Sequence, residues 1–211
     1  MRLMIKVFFL LFEPGATWDG IARARRGFSF ILFVYLLPMI VISSAVEGWG
    51  LDRWGKWQPK FQQLKTFSNH GIVTFEAIQA ALLLLMVLVS ALLLLKMSQT
   101  FEHRRNYQQA FTTMAYGYSP LFLAHLLDAG PMVSPWASAI IGILMVVWVL
   151  YQGIPRVMQP DPTHAFGLYL SAMFVVVLTT SIARVLPGLF LLGVVDFKNS
   201  WLTHKFPALL Q

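Results

Sequence analysis

Long stretches without a charged residue alternate along this chain with short basic or aromatic connections. Gly27 to Val46 is the first such stretch, interrupted only by Pro38. Ala77 to Leu95 is the second, with the core ALLLLMVLVSALLLL. Asn106 to Leu127 is the third and the most polar. Ala129 to Pro155 is the fourth, with its helix expected to begin near Pro135. Ala165 to Ala183 is the fifth, and beyond Arg184 it stays apolar to Val195. A helix needs about 20 mostly apolar residues to cross about 30 Å of hydrocarbon. Each stretch is too uniformly apolar for a barrel strand that alternates in and out. Backbone groups in lipid must be paired within their own segment, so helices follow. The pattern predicts an all-α bundle of five transmembrane helices over about 27–46, 73–96, 107–127, 135–155 and 165–194. The whole bundle occupies 27–195, preceded by a segment 1–26 and followed by a tail 196–211.

Composition agrees with that class. Hydrophobic residues make up 57% of the 211 residues and charged residues 12%. Soluble domains carry about 25% charged residues, so the composition excludes a disordered chain and argues against a soluble globular enzyme. The absence of cysteine removes disulfides, thiolate metal sites and a cysteine nucleophile. Sixteen Lys+Arg against nine Asp+Glu give a net charge of +7. In a membrane protein that excess reports topology and lipid contact.

Arg2 and Lys6 precede the apolar run Val7 to Phe12, which Glu13-Pro14 ends. The run is short and no small-x-small site follows it, so it reads as an interfacial amphipathic helix rather than a signal peptide. A second short helix is expected to start with Thr17 as N-cap and to carry Trp18, Ile21 and Ala22 on one side. Trp18, Arg23, Arg25 and Arg26, with Arg104 and Arg105 further on, are candidates for contact with lipid headgroups or a partner. Counting Lys and Arg for an N-in chain places nine inside and six outside. The bias favours a cytoplasmic N-terminus and a periplasmic C-terminus in a bacterial inner membrane. The outer loop from Glu47 to about His70 holds four of those six charges, with Trp49, Trp54, Trp57 and Phe61. It is expected to lie along the interface.

Ionisable residues at membrane depth are costly and are candidates for function by default. Glu76, His125, Asp128 and Arg184 are of this kind. His125 and Asp128 stand three residues apart and share a helix face if the helix reaches them. Arg184 is expected to snorkel or to pair with Glu76 or Asp128. Tyr116 and Tyr151 offer hydroxyls between helices, Ala115, Gly117 and Ser119 allow close approach of a neighbour, and Pro120 would kink the third span.

Signatures of membrane enzymes do not occur. There is no H-E-x-x-H pair, no G-x-S-x-G elbow and no Gly-rich phosphate loop. Five histidines are scattered without metal-ligand spacing. Neither a cofactor nor a metal is expected, and no surface interleaves aromatic and basic residues as nucleic-acid binders do.

Three stretches resemble the Yip family, small membrane proteins named in eukaryotes for binding Ypt/Rab GTPases, with many bacterial members. The first is LLFEPGATWDGIA, Leu10 to Ala22. The second is RRNYQQAFTTMAYGYSPLFL, Arg104 to Leu123, where Tyr107, Ala110, Ala115, Tyr116 and Pro120 fall on the family pattern. The third is VWVLYQGIPRVMQPDPTHAFGLY, Val147 to Tyr169, with Tyr151 and Gly153, then Ala165 and Tyr169. The resemblance implies about five spans and a cytoplasmic N-terminus. It does not imply Rab binding, which in eukaryotic members uses a longer N-terminal region than the residues preceding Gly27. For bacterial members it implies no defined reaction. The expectation is a non-enzymatic membrane protein that acts by packing against lipids, a second copy or a larger complex. The alternative is a small transporter or channel, and a third class is an enzyme acting on lipids.

Overall fold

The computed structural model describes residues 8–59, 61–101 and 106–192. The C-terminal tail, Arg104 and Arg105 lie outside the described residues. A helical turn at 8–12 leads into α1, Pro14–Ala24. The long helix α2 runs Phe28–Trp54. A two-stranded antiparallel hairpin follows, β1 Lys56–Gln58 and β2 Gln63–Lys65, with Trp57 opposite Leu64. Next come α3 (Asn69–Phe101), α4 (Tyr107–Gly117), α5 (Ser119–His125), a 3₁₀ turn Leu126–Ala129, α6 (Pro135–Val157) and α7 (Ala165–Leu191).

Four of these helices, α2, α3, α6 and α7, are long and apolar enough to cross a membrane. The third charge-free run is not a single helix. It breaks at Tyr118 into α4 and α5, because Pro120 has no N–H to continue the ladder and sits in the first turn of a new helix. This broken rod occupies the middle of the bundle. Ala110 to Phe122 is buried along its whole length, against α3 and α2 on one side and α6 on the other.

Several boundaries differ from those the sequence predicts: α3 runs Asn69–Phe101 where 73–96 is expected, and α7 ends at Leu191 where 194 is expected. The first long helix continues from Val46 to Trp54, so Glu47 stands on a helix rather than in the outer loop. The short N-terminal helix begins at Pro14, not at Thr17, whose hydroxyl instead donates to the Glu13 carbonyl at 2.9 Å. Proline is well placed at a helix start, where its missing N–H costs nothing.

Within α2, Ile31–Leu36 is a π-helical stretch. Pro38 explains it. Its ring excludes the carbonyl four residues back, and widening the preceding turn accommodates the ring without ending the helix. The extra residue sets the face on which Ile31, Tyr35 and Leu36 are buried. The Tyr35 hydroxyl meets Ser119 on α5 in a short hydrogen bond.

Polar contacts tie the bundle at three levels. In the middle, the hydroxyls of Ser90 (α3), Tyr118 and Thr179 (α7) form a closed ring with edges of 2.8, 2.9 and 2.8 Å. At the end nearer α1, Trp18 is fully buried and donates its Nε1–H to the Val149 carbonyl on α6 at 3.0 Å. At the opposite end, Gln58 of the hairpin donates to the Leu191 carbonyl at 3.2 Å, which ties the hairpin to the last turn of α7.

Candidate functional site

Every long element contributes a polar residue at the hairpin end of the bundle. Glu47 lies in the last two turns of α2. Glu76 and Gln79 lie near the start of α3, one turn apart and on one face. His125 closes α5, and Asp128 follows in the 3₁₀ turn. Ser138 is in the first turn of α6, and Arg184 is two turns from the end of α7. Lys56 reaches in from β1. Glu47, Gln79, His125, Asp128 and Ser138 are all at or below 1% exposed, and Arg184 and Lys56 at 2%.

The cluster has two halves. In one, Arg184 Nη1 donates to Asp128 Oδ2 at 2.8 Å, an ion pair between α7 and the 3₁₀ turn. The Ser138 hydroxyl donates to the other Asp128 oxygen at 2.6 Å. Lys56 Nζ donates to the Asp128 carbonyl at 2.6 Å and the Gly130 carbonyl at 3.0 Å, capping the 3₁₀ turn. Burial pushes the Lys56 ammonium below the usual lysine range, and the nearby Asp128 and Glu47 carboxylates pull it partly back. In the other half, Glu47 Oε2 contacts both His125 Nε2 and the Gln79 amide nitrogen, which also lies 2.9 Å from His125 Nε2.

Several buried atoms of the cluster make no hydrogen bond. They are Glu47 Oε1, Gln79 Oε1, His125 Nδ1, and Arg184 Nε and Nη2. A buried polar atom without a partner costs about 1–3 kcal/mol, so such a concentration sets this end of the bundle apart from the rest of the core. Among the described residues, Glu47, His125 and Asp128 also offer three ligand atoms within 4.8 Å of one another.

Close backbone approach makes the convergence geometric. A side chain on Gly50 would place its Cβ 2.3 Å from the Ala129 carbonyl oxygen, so α2 can lie against the 3₁₀ turn only through a glycine. That contact holds Glu47 over His125 and Asp128.

The sequence candidates therefore divide. His125, Asp128 and Arg184 meet in one cluster, and Glu76 stands beside it, its Cγ 3.2 Å from where a Cβ on Gly48 would lie. Tyr116, Pro120, Tyr151 and Gly153 lie elsewhere. Tyr116 packs its ring on Tyr35, with centroids 4.2 Å apart. Pro120 sets the break between α4 and α5. Tyr151 is exposed at 59% and stands edge-on to Tyr169. Gly153 gives room to Trp18, since a Cβ there would be 2.4 Å from the indole. Trp18 is thus a core residue and not a headgroup contact, because α6 offers both a carbonyl partner and a glycine gap to receive it. Arg23 and Arg25 are exposed. Arg26 stacks over Phe30 at 4.3 Å. Sequence reasoning missed Glu47, Gln79, Lys56 and Ser138. Glu47 and Lys56 were hidden among the tryptophans of the expected outer loop. Gln79 and Ser138 carry no charge to draw notice.

Apolar spanning helices around a buried ionic cluster define an integral membrane protein, an all-α polytopic bundle. The chain belongs to the Yip family: the model of the Yip1 domain matches residues 8–183. That match covers the bundle up to the last two turns of α7, and every residue of the cluster except Arg184, which is one position beyond it. Neither a curated protein nor a solved structure matches the chain.

Proposed function

We propose that this chain is a non-enzymatic membrane module, an assembly or auxiliary subunit that works through its lateral surfaces. The observation that carries this reading is the closure of the polar cluster. Its ionisable groups face one another and are shut from solvent, and together they join α2, α3, α6 and α7 through the central rod. Intramembrane charges commonly mark a substrate path. Here the Arg184–Asp128 pair and the Glu47–His125 contact bind helix to helix. Outward faces remain for recognition: Ile140, Leu144 and Trp148 on α6, and Phe166, Phe174 and Ile182 on α7, are more than half exposed and apolar. In a bilayer these faces meet lipid, a second copy or a partner protein.

The proposed setting is a bacterial inner membrane. The rod α4–α5 serves as the fifth crossing, which puts the N-terminus in the cytoplasm and the cluster near the periplasmic face. Lys and Arg counts support that orientation. A small transporter is the second reading, favoured by the unpartnered atoms of the cluster.

Extraction in a lipid-preserving polymer, with mass spectrometry of everything that co-purifies, tests the proposal. A stoichiometric protein partner or a homo-oligomer is the expected result. A lone monomer, whose proteoliposomes carry a solute flux abolished by Arg184→Ala, would replace it with the transporter.

A further inference from the structure

We propose that the cluster is a binding site for one divalent transition-metal ion, of zinc-like chemistry, held by Glu47, His125 and Asp128 with the Gln79 side-chain carbonyl. This goes beyond the packing role above and does not depend on it.

With Glu47 ionised, one triangle of contacts in the cluster cannot be closed by hydrogen bonds alone. Glu47 Oε2, His125 Nε2 and the Gln79 amide nitrogen all touch one another. If His125 Nε2 carries a hydrogen, it donates to Glu47, and the amide N–H then points at another N–H. If Nε2 is bare, it accepts from Gln79, and its lone pair faces the lone pairs of the carboxylate. Turning the amide around puts Gln79 Oε1 against Glu47. Each arrangement of an ionised Glu47 leaves one edge of like against like. A cation among these atoms removes the conflict. The bare Nε2, the carboxylate oxygen and the turned amide oxygen all become ligands.

Independent observations point the same way. Asp128 supplies a further ligand atom, and those of Glu47, His125 and Asp128 lie within 4.8 Å of one another. Glu47 Oε1 and Gln79 Oε1 belong to side chains 0% and 1% exposed, and neither has a partner. Each is bonded to the same carbon as an atom already in the triangle, so each sits at the site. Arg184 and Lys56 both direct their donors at the Asp128 segment. The Glu47 half has no fixed cation of its own.

Donor chemistry selects the metal class. One imidazole with carboxylate and amide oxygens suits Zn²⁺, Mn²⁺ or Fe²⁺. An all-oxygen shell would suit Ca²⁺ or Mg²⁺, and a nitrogen ligand disfavours both.

Cobalt(II) is a probe of the same class with visible absorption. The protein would be purified without an affinity histidine tag, stripped with chelator, loaded with Co²⁺ and desalted. The expected result is about one Co²⁺ per chain, with d–d bands of low-coordinate nitrogen and oxygen ligation that Zn²⁺ displaces. A variant with His70, His103, His164 and His204 all replaced by Gln keeps that signal, since His125 alone supplies the nitrogen. Glu47→Gln and His125→Gln lose it while retaining the wild-type elution volume and helical circular dichroism. If either single variant fails to fold, the four-histidine variant decides by itself. Folded wild-type protein without bound cobalt overturns the proposal and leaves a shared proton as the bridge between Glu47 and His125. Cobalt that is lost from the four-histidine variant, or survives in folded His125→Gln, also overturns it.

Discussion

Arg184 and Asp128 show what one buried pair does for this bundle. The guanidinium and carboxylate are 2% and 0% exposed, so neither can turn to water for compensation. Removing one partner strands the other, which typically costs about 3–5 kcal/mol. Arg184→Met is therefore expected to lower thermal stability in detergent by an amount of that order. Replacing both partners, Arg184→Met with Asp128→Leu, is expected to recover most of the loss, because the stranded charge is gone. Thermal unfolding followed by circular dichroism checks both, and equal loss in single and double variants would refute the pairing argument. The sequence shows Arg184 as a misfit in an apolar run and names Asp128 as one of two partners. It does not show that Ser138 and Lys56 complete the same network, since those residues sit 46 and 128 positions from Arg184 by their numbers.

At the scale of elements, prolines and glycines set the shape. Pro38 does not end α2 but widens it into a π-helical turn, and Pro120 divides the third run into α4 and α5. The first follows from the proline ring, which excludes the carbonyl four residues back, and the second from the missing N–H. Whether the chain bends, widens or breaks depends on the neighbours that compensate, so the sequence alone leaves that open. α1 depends on a different device. Its indole fills the gap at Gly153 and bonds to Val149, while Arg156 pairs with Asp19 at 3.1 Å on the exposed side. Gly153→Leu is expected to expel Trp18 and free α1 from α6. Trypsin should then cut at Arg23 and Arg25 many times faster than in the parent, in detergent or in nanodiscs. Unchanged cleavage would mean that the Arg156–Asp19 pair or the membrane holds α1 in place, and that the glycine gap does not. The amphipathic character of this segment is legible from Trp18, Ile21 and Ala22. Its target is not, because an apolar stripe fits a membrane surface and a neighbouring helix equally well.

For the molecule as a whole, sidedness is the first consequence to check. The chain has no cysteine, so single cysteines report location without background. In intact bacterial cells with permeable outer membranes, Gln62→Cys at the hairpin is expected to react with a membrane-impermeant maleimide. Thr17→Cys on α1 is expected to react only after the inner membrane is opened. The opposite pattern would invert the bundle and place the ionic cluster near the cytoplasm. Much of the architecture was decided by the sequence itself. Long apolar runs, few charges and the exclusion of water from lipid leave helices as the structure for such segments, and proline marks where they deform. That much is local physics, readable in one dimension. Tertiary structure decided which polar residues meet. Glu47, Gln79, His125, Asp128 and Arg184 come from five different elements, and each taken alone has an ordinary explanation at a helix end. Packing against the 3₁₀ turn through Gly50 brings them within reach of one another, and only there does their charge acquire a partner. Interactions among charges depend on distance in space and on the exclusion of water, and neither is a property of spacing along the chain.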